Sequence, residues 1–228
     1  MRLLLLSLLL PSTVLLHAQE ALRPARNTGL WTSFGVKADA PAFLKDVLGE
    51  DRYKRLDLAA ETGFRTGDEL ADGNQLFFDG SARYKIADWI DVGIEQRIAF
   101  RNGERNRHRS GVRVSMEKKV DRVELDYRFI YQHNYRPWGE RREVLRNRFG
   151  VSYNIPDFKY DPELTMEFFT WAGFQGMRYT GVRYRLGTDI KIIKDHELGL
   201  AVIHDRDTQV SWPGQRWIAS MSYTIDLR

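Results

Sequence analysis

The tetrad His204-Asp205-Arg206-Asp207 sets an imidazole beside two carboxylates, a combination that can activate water by general acid–base chemistry. His204, Asp205 and Asp207 are therefore the candidates for a hydrolytic site, although a lone histidine next to acids in a loop is most often solvated surface. Neither a G-x-S-x-G elbow nor an H-E-x-x-H pair occurs. The chain has no cysteine and five widely separated histidines, so nothing has the spacing of a metal site. No metal and no cofactor are expected.

A larger set of charged residues recurs with period two. Arg55, Glu61, Arg83, Glu95, Arg97, Arg113, Glu124, Asp126, Arg128, Arg146, Arg148, Arg183 and Arg185 share this pattern with Asp57, Arg65, Asp79, Arg109 and Glu117. Arginine and carboxylate join through bidentate charge-assisted hydrogen bonds. Gathered on one face, these residues would make either a packed polar core or a narrow charged path or cavity for a small anion.

The elements that must carry them are strands. In residues 76–100 the positions Leu76, Phe78, Gly80, Ala82, Tyr84 and Ile86 are apolar or small, and Ile90, Val92, Ile94, Ile98 and Phe100 resume the same phase. Charges occupy the positions between them, which is the period of a strand with one greasy and one polar face. The same alternation returns in residues 54–64, 108–116, 123–131, 145–153, 180–186, 198–202 and 217–227. Residues 164–172 are apolar on both phases, so their facing is open. The count is ten strands from Tyr53, or eleven with residues 30–38. Residues 42–48 place Phe43, Leu44, Val47 and Leu48 at helical spacing, suggesting an amphipathic turn or two that caps the domain.

Residues 1–18 carry one positive charge, an apolar run and Ala18 as a cleavage residue, which reads as an export signal peptide. No later stretch is apolar for the length of a spanning helix. A closed barrel needs none, because closure pairs every backbone N–H and C=O without water. The strands are about the length a tilted strand needs to cross a bilayer. Aromatic residues collect toward their ends, as interfacial girdles do. Longer polar loops at 67–74, 102–106, 134–143 and 205–215 alternate with tight turns. A soluble barrel with its apolar face inside is the opposing reading. With 35 Lys+Arg against 31 Asp+Glu, a formal charge of +4, the mixture is too balanced for a nucleic-acid binder.

The run from Trp31 through Leu56 to Arg65, the hairpin Tyr84-Lys-Ile-Ala-Asp-Trp-Ile-Asp-Val-Gly and the segment Arg146-Asn-Arg-Phe-Gly resemble the bacterial outer-membrane proteins grouped as domain-of-unknown-function family 2490. The resemblance implies a small outer-membrane barrel and brings no catalytic residues.

The expected fold is an all-β transmembrane antiparallel barrel of 10–12 strands, with short periplasmic turns and longer extracellular loops. Residues 1–18 are the signal peptide, 19–52 an N-terminal segment and 53–228 the barrel. Arg101, Arg105, Arg107, Arg136, Arg141 and Arg142 fall in or beside two of the longer loops and would form a basic rim for lipopolysaccharide phosphates, or simply scattered surface charge. The expected function is a structural or adhesive protein of the bacterial outer membrane, or a narrow path for a small charged solute. The alternative is a barrel hydrolase with its site at the extracellular rim. Membrane lipid, lipopolysaccharide and the outer-membrane insertion machinery are the expected partners of a monomer.

Overall fold

Alternation of apolar and charged residues produces eleven strands in the computed structural model, which describes residues 25–66, 75–101, 103, 105–136, 142–158, 160–173, 176–209 and 213–228. The signal peptide expected at 1–18 lies outside the described residues. The strands are β1 (Ala25–Asp39), β2 (Leu56–Arg65), β3 (Gln75–Ala87), β4 (Ile90–Arg101), β5 (Arg107–Val120), β6 (Val123–Asn134), β7 (Glu143–Tyr153), β8 (Asp161–Gly173), β9 (Gly176–Ile193), β10 (His196–Asp207) and β11 (Gly214–Asp226). Two short helices, α1 (Phe43–Leu48) and α2 (Glu50–Tyr53), join β1 to β2.

The sheet closes on itself in the order β1-β11-β10-β9-β8-β7-β6-β5-β4-β3-β2. All neighbours are antiparallel except β1 and β11, which run parallel from Ala25↔Gly214 to Lys37↔Asp226. This corrects two expectations. Residues 53–228 do not close by themselves, and the sheet is not antiparallel throughout. β1 sits between the first and last of the other ten strands, and an odd strand count forces one like-directed pair.

One end of the barrel carries the connections after β2, β4, β6, β8 and β10 and is called here the loop end; the other is the turn end. Asp121 and Asp195 take positive φ in the two-residue turns after β5 and β9, a conformation that aspartate tolerates better than most side chains. Connection length does not divide cleanly between the ends. Residues 40–55, 154–158 and 160 lie at the turn end, while β8 and β9 are only two residues apart in sequence at the loop end.

The two faces are inverted relative to a soluble core. Every strand exposes large apolar side chains outward, among them Phe34, Phe64, Phe78, Ile94, Val112, Leu125, Phe149, Leu164, Leu186, Val202 and Met221. Phe77 and Ile218 are the largest side chains fully enclosed among the described residues. Inward positions alternate bulk with its absence. A Cβ on Gly63 would stand 2.5 Å from Phe77 Cζ, and one on Gly150 would overlap Asp126 Oδ2. The ring and the carboxylate therefore occupy space that only glycine leaves open.

Candidate functional site

Inward charges meet their partners across neighbouring strands. Arg97 Nη2 lies 2.7 Å from Asp79 Oδ2, and Arg109 Nη2 lies 3.4 Å from Glu95 Oε1 and 3.6 Å from Asp79. Glu167 on β8 holds Arg146 at 2.7 Å and Arg183 at 3.6 Å, and Arg183 also reaches Asp205 at 2.7 Å. Arg148 binds Asp126 at 2.6 Å, and Arg185 binds Glu163. Aromatic rings fill between them. The Arg65 guanidinium stacks 4.1 Å from the Trp31 ring and 4.7 Å from Phe77, whose other contact is Arg97 at 4.2 Å. Arg183 reaches the same Trp31 ring at 5.0 Å, although its strand is third from β1 around the sheet. That contact spans the inside of the barrel.

Two cavities open at the ends of this network. The loop-end cavity, about 710 Å³, is lined by six arginines, including Arg65, Arg97, Arg109 and Arg136, against Asp205 and Asp207. The turn-end cavity, about 500 Å³, reverses the balance, with nine carboxylates against Arg83, Lys85, Arg128 and Arg148. Glu124 and Asp126 belong to the acidic end. Arg113 lies between the two, within electrostatic reach of Asp91 and Glu95. Glu61 faces inward opposite Asp79 and near Arg65. Arg55 stands just outside β2 and donates Nη1 to Ile86 O at 3.2 Å, so it belongs to the turn-end edge rather than to the network.

The hydrolytic tetrad does not assemble. Successive side chains of a strand point to opposite faces. His204 turns outward, stacked 4.5 Å from Trp217 and hydrogen-bonded to Gln215 at 2.8 Å, while Asp205 turns inward to Arg183. The basic rim is redistributed too. Arg101 donates Nε to Gln75 Oε1 at 3.2 Å, Arg107 shares the inward phase of Arg109, and Arg136 lines the loop-end cavity. Arg105 is exposed and Arg142 partly buried; Arg141 lies outside the described residues.

Two groups of residues escaped sequence reasoning. Glu167 sits in the segment that is apolar on both phases and Glu163 immediately precedes it, and only pairing fixes which way they face. The second group is on the outer surface. Ser110 (β5), His133 (β6) and Glu143 (β7) share the outward phase near the loop end, where Val112, Tyr131 and Leu145 would lead one to expect apolar neighbours. His133 Nδ1 lies 2.6 Å from Glu143 Oε1, whose second oxygen accepts from the Tyr131 hydroxyl. Ser110 is the direct cross-strand partner of His133; its hydroxyl donates to Gln96 Oε1 and lies 3.0 Å from Tyr135 OH. The available signal was a run of polar residues, Gln96, Ser110 and His133, on a phase that is otherwise apolar.

Among the described residues no cluster of three or more His, Asp or Glu has the arrangement of a metal site. The profile of the family described as "Protein of unknown function (DUF2490)" matches residues 28–211. No curated protein and no solved structure matches the chain.

Proposed function

From a chain that belongs to the DUF2490 family of proteins of unknown function and folds as a closed β-barrel, we propose an outer-membrane protein of the bacterial cell, held in lipid by its outer face and braced inside by ion pairs. The observation that carries this is the inversion of the two faces. Every strand shows large apolar side chains to the outside, while arginines and carboxylates pair within. Lone exposed apolar residues are ordinary, but a continuous belt around all eleven strands is a surface for hydrocarbon. In water it would drive aggregation.

The role that fits this interior is structural, with at most a narrow path for a small charged solute. Buried arginine–carboxylate pairs with good geometry hold their positions, because breaking one strands a charge away from water. They occupy the space that a porin of larger diameter leaves to solvent. The insertion machinery of the outer membrane and outer-leaflet lipid are its partners in this reading. Fractionation is the direct test: the mature chain should stay with outer membranes through a carbonate wash and need detergent to dissolve. In planar bilayers the inserted barrel should conduct weakly or not at all. Recovery as a detergent-free periplasmic protein would end the proposal, and a large steady conductance would end the braced-interior part of it.

A further inference from the structure

We propose that Ser110, His133 and Glu143 form an acyl-transfer site on the outer face of the barrel, and that it hydrolyses long-chain carboxylic esters of membrane lipid. The inference rests on the membrane reading above, since it places the site against lipid. Three adjacent strands present a hydroxyl, an imidazole and a carboxylate on one face, within a few residues of the loop-end edge. A nucleophile, a base and a group that orients the base are what nucleophilic acyl transfer requires, and this constellation recurs on unrelated folds.

The geometry of the dyad is already made. Glu143, 2.6 Å from Nδ1, is placed to accept the Nδ1 proton, an arrangement that leaves Nε2 for the base role when the ring is neutral. Ser110 does not hydrogen-bond His133 in this structure; Gln96 and Tyr135 hold its hydroxyl. As directly opposed antiparallel residues, Ser110 and His133 have Cβ atoms about 4.5–5.5 Å apart, so rotation about the serine Cα–Cβ bond turns the hydroxyl toward the ring. Catalytic hydrogen bonds are often loose until substrate arrives.

The surroundings fit a lipid ester. A groove of about 510 Å³ runs along the outer face beside Ser110 and His133, walled by Ala82, Ile94 and Val112, and takes an acyl chain. Ionisable groups on a lipid-facing surface are costly, which makes a paired histidine and glutamate there a mark of function.

The reaction balances without a cofactor. Ser110 Oγ bonds to the ester carbonyl carbon and passes its proton to His133. The carbonyl oxygen becomes an oxyanion that the Tyr135 hydroxyl, 3.0 Å from Ser110 Oγ, is placed to meet. The oxyanion collapses, the bond to the alcohol oxygen breaks, and His133 protonates that oxygen as it leaves. Water, deprotonated by His133, then attacks the acyl-serine, releasing fatty acid and restoring Ser110.

Detergent-folded protein, checked by heat-modifiable migration and circular dichroism, should be treated with a long-chain fluorophosphonate and mapped by mass spectrometry. It should also be given two substrates separately, phosphatidylethanolamine vesicles and purified lipopolysaccharide, with released fatty acid measured. The expected result is phosphonylation at Ser110 and release from one of the two, which identifies the source of the ester. Ser110→Ala should abolish both signals, and Glu143→Gln should lower release at least about tenfold by freeing the imidazole. A folded, inserted wild type with no label and no release from either substrate overturns the site and leaves the membrane reading intact. Equal release by folded Ser110→Ala overturns it as well.

Discussion

The two ends of the barrel interior use the same side chains to opposite effect. At the loop end six arginines face two aspartates, and the pairs that two of them make on the wall are the driest: side-chain exposure is 13% and 12% for Arg97 and Asp79, and 16% and 7% for Arg146 and Glu167, while Arg183 with Asp205 stands at 22% and 25%. At the turn end carboxylates outnumber bases by nine to four, and Arg148 with Asp126 is wetter at 23% and 24%. Charge pairing therefore does two jobs. Around Asp79 and Glu167 it fixes the wall, because a charge stranded beside those buried carboxylates has little water to turn to; near the turn end it shapes a solvated acidic mouth.

Substitution tests that division most strongly at Glu167. Glu167→Ala leaves Arg146 and Arg183 without their shared carboxylate and should cost about 3–5 kcal/mol in urea unfolding of the detergent-folded barrel. Asp126→Ala at the other end should cost about 1–2 kcal/mol, since Arg148 regains water. Equal losses would erase the distinction between the ends. Gly150→Ala comes next. Its new methyl group collides with the Asp126 carboxylate, so it should destabilise by about as much as Asp126→Ala, and the double variant should lose little more than either single one. Full additivity would mean that Asp126 draws nothing from its glycine.

The smallest effect is expected at the helices of the turn end. The Lys54 ammonium, by its hydrogen bond, and then the Lys45 charge hold the Glu50 carboxyl below its ordinary range. A depressed folded-state value contributes order above the ordinary carboxylate range and loses it as pH falls through the folded value. The protection factor of the Lys54 amide should therefore fall on acidification, and Glu50→Gln should remove that fall while the protection of the barrel amides stays as it was.

Strand identity and facing were open to inspection in the sequence because period two is a local property. Gly63, Arg65 and Glu61 turn inward, and Phe64 and Phe78 outward, as their phases required. What depends on pairing was not. The place of β1 was undecided because its parallel partner is at the far end of the chain. Glu167 hid in a segment apolar on both phases. The tetrad at 204–207 looked like chemistry only while its residues were read side by side, since adjacent strand positions face apart. Ser110, His133 and Glu143 come together the opposite way, distant in sequence and joined by register.

The like-directed pairing of β1 with β11 has a practical consequence for topology mapping. Ala25 opens its strand at one rim and Asp226 ends its own at the other. A cysteine label introduced at residue 25 and another at residue 228 would thus report from opposite compartments across any barrier the barrel spans, so one impermeant reagent applied to intact cells should modify one label and spare the other.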